Sequence, residues 1–252
     1  MTLVLMPGMD GTGRLFEGLI QELDPSLSSV VIRYPTDQEC AYGPLADLVR
    51  ERLPSGPFVL FGESFSGPLA IRLAAENPPG LQGVILCASF AASPVPGPVV
   101  ALGQTLMRLG PRPPGVVLRA LLTGRDAKAE LVNELGDAIG AVQPRVMAAR
   151  LREIGAVDVG PELAQVRVPM LYIRATQDRV VGKAAMAQVM AARPDVSIVE
   201  LEGPHLVAQV QPAAVAEAVL GFCGGWGRER GKTPFSPDTA AHRQVDNPVP
   251  DK

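Results

Sequence analysis

Six short apolar, β-branched runs punctuate the chain, at residues 3–6, 30–34, 58–61, 84–88, 170–173 and 197–201. Each has the length of a strand. Several are apolar at successive rather than alternate positions, as parallel strands are when helices cover both faces of their sheet. Segments of helical character lie between them, at 15–23, 45–53, 68–76, 184–192 and 213–222. This strand–helix alternation predicts an open α/β sheet. One stretch breaks the rhythm. From residue 90 to 166 no strand pattern occurs, and the sequence, rich in Pro, Gly and Leu, offers helix-like pieces near 99–109, 115–122, 127–141 and 145–154. It reads as a helical insertion between the fourth and fifth strands. From Trp226 onward the chain is polar and Pro-rich with few apolar anchors, which predicts a loosely ordered tail over 226–252. No internal repeat is visible.

Composition sharpens this picture mainly by exclusion. With 252 residues, 47% of them hydrophobic, the chain can bury a core of one large domain, or of one domain carrying an insertion. A net charge of −3 and the lack of a basic stripe argue against nucleic acid as a partner. The apolar runs fall far short of the roughly 20 residues that a membrane span needs. The opening MTLVLMPG has neither a basic n-region nor a cleavage site, so no signal peptide is expected. Three dispersed cysteines, Cys40, Cys87 and Cys223, fit reduced thiols in a cytoplasm better than a disulfide framework or a zinc site. The expectation is a cytoplasmic protein without metal or cofactor.

Candidate chemistry begins at Gly62-Glu63-Ser64-Phe65-Ser66-Gly67, directly after the apolar run of the third strand. A buried strand that ends at Glu63 and a helix that starts two or three residues later force a sharp turn. The central side chain is pushed outward, and the residues two before and two after it must be small. Gly62 and Ser66 meet that demand around Ser64, and Pro68 suits the first turn of the following helix. An ordinary Ser/Gly loop after a strand is the competing reading. A serine hydroxyl becomes a nucleophile only with an imidazole in reach and a carboxylate to orient it. Of the two histidines, His205 follows the last strand and precedes the final helix, while His242 lies in the polar tail. Asp178 lies in the loop after the fifth strand. Ser64, Asp178 and His205 thus all follow carboxyl ends of strands, where open α/β sheets gather their functional groups. No carboxylate closely follows the fourth strand.

The loop Pro7-Gly8-Met9-Asp10-Gly11-Thr12-Gly13-Arg14 follows the first strand. Gly8 and Gly13 have the spacing of a phosphate loop, but Arg14 and Leu15 stand where Lys and a hydroxyl residue are needed. A dinucleotide fingerprint starting at Gly11 fails at Phe16. The remaining functional reading is an oxyanion loop, with backbone N–H groups of Met9 and of Phe65 as donors, each worth about 3–4 kcal/mol in a transition state. A plain Gly-rich βα turn is its structural alternative. Asp10 has no assigned role beyond bracing this loop.

Taken together, the loop 7–13, the turn 62–67, the acid loop 176–180 and the His205 loop resemble the α/β-hydrolase fold family over residues 2–224. Pro-Gly-Met-Asp-Gly-Thr-Gly at 7–13 further resembles the esterase/acyltransferase branch that includes plant phytyl ester synthases. The chain has Pro7-Gly8 where most members have His-Gly, and Ser66 in place of the second Gly of the G-x-S-x-G turn. Its first strand resembles the third of the full family pattern. The resemblance therefore implies a reduced sheet of about six parallel strands, a core of 1–89 and 167–225, and an inserted helical cap over 90–166. It implies an enzyme that cleaves carboxylic esters or thioesters through an acyl-enzyme on Ser64, His205 and Asp178, with a small-molecule substrate. Two alternatives remain: an acyltransferase using the same acyl-enzyme, and a non-catalytic ligand-binding protein on the same fold. The insertion is apolar, with Val99, Val100, Leu102, Leu106, Met107, Leu109, Val116, Val117, Leu118, Leu121 and Leu122. These side chains either line an aliphatic acyl pocket or pack the helices together.

Overall fold

The computed structural model describes residues 1–109 and 114–228. The six strands β1 (Thr2–Met6), β2 (Ser28–Val31), β3 (Phe58–Glu63), β4 (Leu81–Cys87), β5 (Met170–Ala175) and β6 (Ser197–Leu201) form one sheet in the order β2-β1-β3-β4-β5-β6. Every pairing is parallel. Alternate strand residues serve two separate cores. Val4, Leu60, Val84 and Tyr172 face one side, and Leu5, Phe61, Ile85 and Ile173 the other. The first core is closed by α2 (Tyr42–Arg50), α3 (Gly67–Ala75) and α9 (Lys183–Ala192), through Leu45, Leu69 and Val189. The second is closed by α1 (Glu17–Glu22), α10 (Val207–Val210) and α11 (Pro212–Arg228), through Leu19, Val207, Val215 and Val219. Cover on both faces explains why β3 and β4 lack a polar alternation.

One strand differs from expectation. The apolar run at 30–34 predicts a strand to Tyr34, but β2 ends at Val31. Ile32 and Tyr34 are buried all the same, and the Tyr34 N–H donates to the Gly11 carbonyl at 2.8 Å instead of to a strand. Burial continued past the end of the ladder, and hydropathy alone reports burial. The helix α11 also runs to Arg228, three residues into the expected tail; the rest of that tail, with His242, lies outside the described residues.

Between β4 and β5 the described residues form helices: α4 (Gly97–Arg108), α5 (Gly115–Leu118) continued by a π turn at Arg119–Thr123, α6 (Ala129–Gly140), α7 (Pro144–Ala156) and α8 (Gly160–Leu163). The segment leaves and returns through a short antiparallel stem, with Ser93 N–H donating to Val157 O and Val159 N–H to Ala91 O. Beyond the stem, α8 sends Leu163 into the first core. The helices before it rest on the loops that follow β1, β2 and β6. Leu118 and Leu135 pack with Leu15 and Leu206, Val146 and Met147 pack with Met9, and Gln143 N–H donates to Thr36 O.

This topology places a crevice. The chain steps from β1 to its neighbour β2 on one side, then crosses to β3 on the other. Loops leaving the carboxyl ends of β1 and β3 therefore diverge, and ligands of open α/β sheets bind in the gap so formed. The register aligns Met6 with Gly62, which brings the loops at 7–13 and 63–67 side by side in that gap.

Candidate active site

The turn after β3 is as sharp as its sequence suggests. Ser64 has φ 48°, in the left-handed region that residues with a Cβ avoid, so its hydroxyl is thrust out of the chain. The surroundings over-determine this strained residue. Ser89 donates its hydroxyl to Ser64 O at 2.6 Å, and Tyr42 donates to Phe65 O at 2.8 Å. Tyr42 also stacks on the Phe65 ring, with centroids 4.8 Å apart. Tyr172 holds Ser89 in turn through the Ser89 carbonyl. A Cβ at Gly62 would come within 3.0 Å of Ala70 Cβ, and one at Gly67 would overlap the Ser89 hydroxyl. The close approach thus falls on Gly62 and Gly67. Ser66, with no exposed surface, instead gives its hydroxyl proton to the Pro7 carbonyl and accepts from Tyr34 at 2.6 Å. The hydroxyl that interrupts the G-x-S-x-G pattern is what ties the turn to the β1 loop.

Ser64, His205 and Asp178 form one row. Ser64 Oγ lies 2.8 Å from His205 Nε2, and His205 Nδ1 lies 2.7 Å from Asp178 Oδ2. The row is shielded: His205 is 4% exposed and the Asp178 side chain 2%. A carboxylate only accepts, so Nδ1 donates to Asp178, which leaves Nε2 free to accept from the serine. The other carboxylate oxygen of Asp178 accepts from the N–H groups of Val180 at 2.7 Å and Val181 at 2.8 Å, so its rotation is fixed. The acid loop is joined to the histidine loop by Gln177 N–H to Gly203 O at 2.8 Å. The histidine loop is joined to the helical segment by Leu206 N–H to Leu122 O at 2.9 Å.

Neither the Met9 nor the Phe65 N–H has an acceptor among the described residues. Gly11 N–H donates to Gly8 O at 3.0 Å, closing a turn over Met9 and Asp10. The Gly8–Met9 peptide is trans, so the Met9 N–H points away from that turn, and it has no acceptor among the described residues. Phe65 lies in the first turn of the helical stretch after Ser64, where N–H groups lack intrahelical partners. Asp10 braces the loop by accepting from Thr12 N–H at 2.9 Å.

Two further groups shape the site and were missed in the sequence. Arg150 of α7 is 2% exposed, yet forms no ion pair among the described residues. Its guanidinium donates to Met9 O at 2.8 Å, Asp10 O at 2.7 Å and Pro35 O at 2.7 Å, and sits 5.7 Å from the Tyr34 ring centroid. Desolvation lowers its pKa. Gly11, at φ 69°, leaves room for it, since a Cβ there would strike Nη1.

Glu63 lies directly behind the serine, 2% exposed, and accepts from Gln209 Nε2 at 2.9 Å and from the Gly8 N–H. It links the loops of β1, β3 and β6. Burial pushes its carboxyl up from 4.5 to about 7, against the opposing pull of Gln209. A raised carboxyl means that the folded state holds a proton that the unfolded chain has released. This contribution to stability is therefore complete below about 4.5 and lost as pH rises through about 7. Urea unfolding followed across that window should show the wild type losing roughly 3 kcal/mol relative to Glu63→Gln. Parallel pH profiles for the two proteins would contradict the assignment.

A parallel sheet with its functional side chains at the carboxyl edge, a serine on a strained strand-to-helix turn and a histidine after the last strand define an α/β-hydrolase architecture. The model of the alpha/beta hydrolase family matches residues 3–218, and the chain belongs to that family. Solved structures share the fold. A hydrolase from Oleispira antarctica superposes with a TM-score of 0.79 at 14% identity, over 88% of this chain and 90% of that one. An enol-lactonase from Burkholderia xenovorans gives 0.77 at 20% identity, over 88% and 91%. An esterase from Exiguobacterium antarcticum gives 0.78 at 11%, over 89% and 92%. Comparison with curated protein sequences finds no match. Among the described residues no helix is long and apolar enough to cross a membrane.

Proposed function

We propose that the protein is a serine hydrolase of carboxylic esters or thioesters, with Ser64 as nucleophile, His205 as general base and Asp178 as its orienting acid. The reading rests above all on the hydrogen-bond row from Ser64 Oγ through the His205 ring to Asp178, built on a serine at φ 48°. His205 Nε2 takes the hydroxyl proton as Ser64 Oγ bonds to the ester carbonyl carbon. The oxyanion faces the N–H groups of Met9 and Phe65. The C–O bond to the leaving group then breaks, and the departing alkoxide takes the proton from Nε2. Water, deprotonated by the same imidazole, attacks the acyl carbon; the bond to Ser64 Oγ breaks, Oγ takes the proton back from Nε2, and the carboxylic acid leaves. The esterase and the enol-lactonase among the similar structures accord with ester chemistry.

The helical segment over 90–166 acts as a cap on this site. The aliphatic side chains that it and its neighbours bring near the site, among them Met9, Leu15, Leu118 and Leu206, favour an aliphatic over an aromatic acyl group. Product analysis on acyl esters of graded chain length, with and without a competing alcohol, tests the reading. Free carboxylic acid should dominate in both conditions and aliphatic esters should outrun aromatic ones. A transesterified product would assign the acyltransferase reaction, and no turnover of any ester would remove the proposal.

A further inference from the structure

The three members of the row are not held by the same part of the molecule. Ser64 is fixed by Ser89 and Tyr42, which donate to its own carbonyl and to the next one. The Asp178 carboxylate is fixed by the N–H groups of Val180 and Val181, in its own loop. For His205 the backbone supplies nothing comparable: neither its N–H nor its carbonyl has a hydrogen-bond partner among the described residues. The tie from the acid loop reaches only Gly203 O, two residues back. The immediate neighbours of His205 are held by the helical segment instead. Leu206 N–H donates to Leu122 O at 2.9 Å, and the Leu206 side chain shares a buried cluster with Leu118. On the other flank Pro204 lies against Gly124, where a Cβ would come within 3.4 Å of the proline ring.

The end of α5 and its π turn have the local structure to make these contacts. The π turn stops at Gly124, whose φ of 79° favours glycine. A helix end leaves its last carbonyls without intrahelical partners. Here two of them are taken by residues that adjoin the triad: Leu122 O by Leu206, and Ala120 O by the guanidinium of Arg179 at 3.2 Å. Thr123, between them and Gly124, is 1% exposed. We propose that the turn at 118–124 sets the position of the general base, with Leu118 and Arg179 as positioning residues. Leu118 holds the chain beside His205, and Arg179 holds the acid loop to the same turn. The proposal rests on the acyl-enzyme reading. It makes the helical segment part of the catalytic framework, because a base displaced by about 1 Å can cost roughly 10²-fold in rate.

Proton NMR beside steady-state kinetics tests this. The Nδ1 proton that His205 donates to Asp178 at 2.7 Å should give a signal well downfield of the amides in the wild type. Leu118→Ala should broaden or abolish that signal and lower kcat on an acetyl ester by about tenfold or more, with KM little changed. Leu118→Met, close to leucine in volume, should keep both. Val116→Ser, at a position 72% exposed two residues earlier, should behave as the wild type. Arg179→Met keeps the stem and withdraws the donor to Ala120 O, so kcat should fall about threefold; this variant decides the matter if Leu118→Ala fails to fold. A wild-type signal and a wild-type kcat on the acetyl ester in Leu118→Ala, or in Arg179→Met where it alone folds, would overturn the proposal. A change confined to the preference among longer acyl chains would also overturn it, and leave Leu118 as a pocket wall. A wild type that turned over no ester would remove the hydrolase reading, while the proton signal in the variants would still decide whether the turn holds His205.

Discussion

Ser64→Ala should lower ester turnover by on the order of 10⁴- to 10⁶-fold, because the residual rate then comes only from the oxyanion donors and from substrate binding. The fold should survive. Alanine meets the same left-handed strain at φ 48° as serine does, and the elbow is held by the hydrogen bonds of Ser89 and Tyr42 to its carbonyls rather than by the serine side chain. The hydroxyl makes one hydrogen bond, to His205, so its loss should change stability by about 1 kcal/mol. Steady-state kinetics beside thermal unfolding separates the two effects. His205→Ala should cost nearly as much alone as in combination with Ser64→Ala, since the two groups act as a unit. A Ser64→Ala protein retaining a tenth of wild-type turnover would place the chemistry elsewhere.

The second large effect is expected at a residue that touches no substrate. Arg150→Met keeps most of the apolar stem but withdraws the donors that satisfy Met9 O, Asp10 O and Pro35 O. Two terms oppose each other. Removing a desolvated charge relieves a cost, since burial already lowers the pKa of this arginine. Against that, three carbonyls lose their partner, at about 1–3 kcal/mol each if no water reaches them. The second term is larger, and a net loss of about 3 kcal/mol in urea unfolding is expected. Function should suffer further. Arg150 fixes the carbonyls on either side of Asp10, and so holds the turn from which the Met9 N–H projects. Misaligning one such donor costs roughly 10²- to 10³-fold in kcat. The loss should fall on kcat with KM little changed, the pattern of an interaction made only in the transition state. Arg150 is in this sense a positioning residue. A change confined to stability, with kcat intact, would make it merely structural.

How much of this was legible depended on what signal each feature leaves in the chain. The elbow was readable because a run of apolar residues, small flanking residues and Pro68 coincide within a few positions. His205 was readable by elimination, since the one other histidine lies in the polar tail, and Asp178 by its place in the loop that follows the fifth strand. Arg150 was hidden by its neighbours Arg145 and Arg152, which are exposed. Its one trace is position: it falls three or four residues from Val146, Met147 and Ile154, on the buried stripe of α7. A lone cation on an apolar face was the signal available. Glu63 sits at the variable position of the elbow motif, where the sequence carries no sign that it is buried against Gln209, 146 residues away. The end of β2 was misplaced because hydropathy continues through Ile32 and Tyr34 while the strand ladder does not. The apolar residues of 99–122 divide: Val100, Met107, Leu118 and Leu122 pack against neighbouring helices and loops, as the packing reading expects, while Val99, Leu102, Leu106, Leu109, Val116 and Leu121 are exposed, because hydropathy cannot tell which face of a helix meets protein.

The proposed chemistry requires the hydroxyl of Ser64 to be an activated nucleophile. Treating the protein with a fluorophosphonate probe and locating the adduct by mass spectrometry tests it most directly. One stoichiometric adduct is expected, on Ser64, formed rapidly by the wild type and lost in His205→Ala. An unlabelled Ser64, or an equal adduct in the protein without its imidazole, would contradict it.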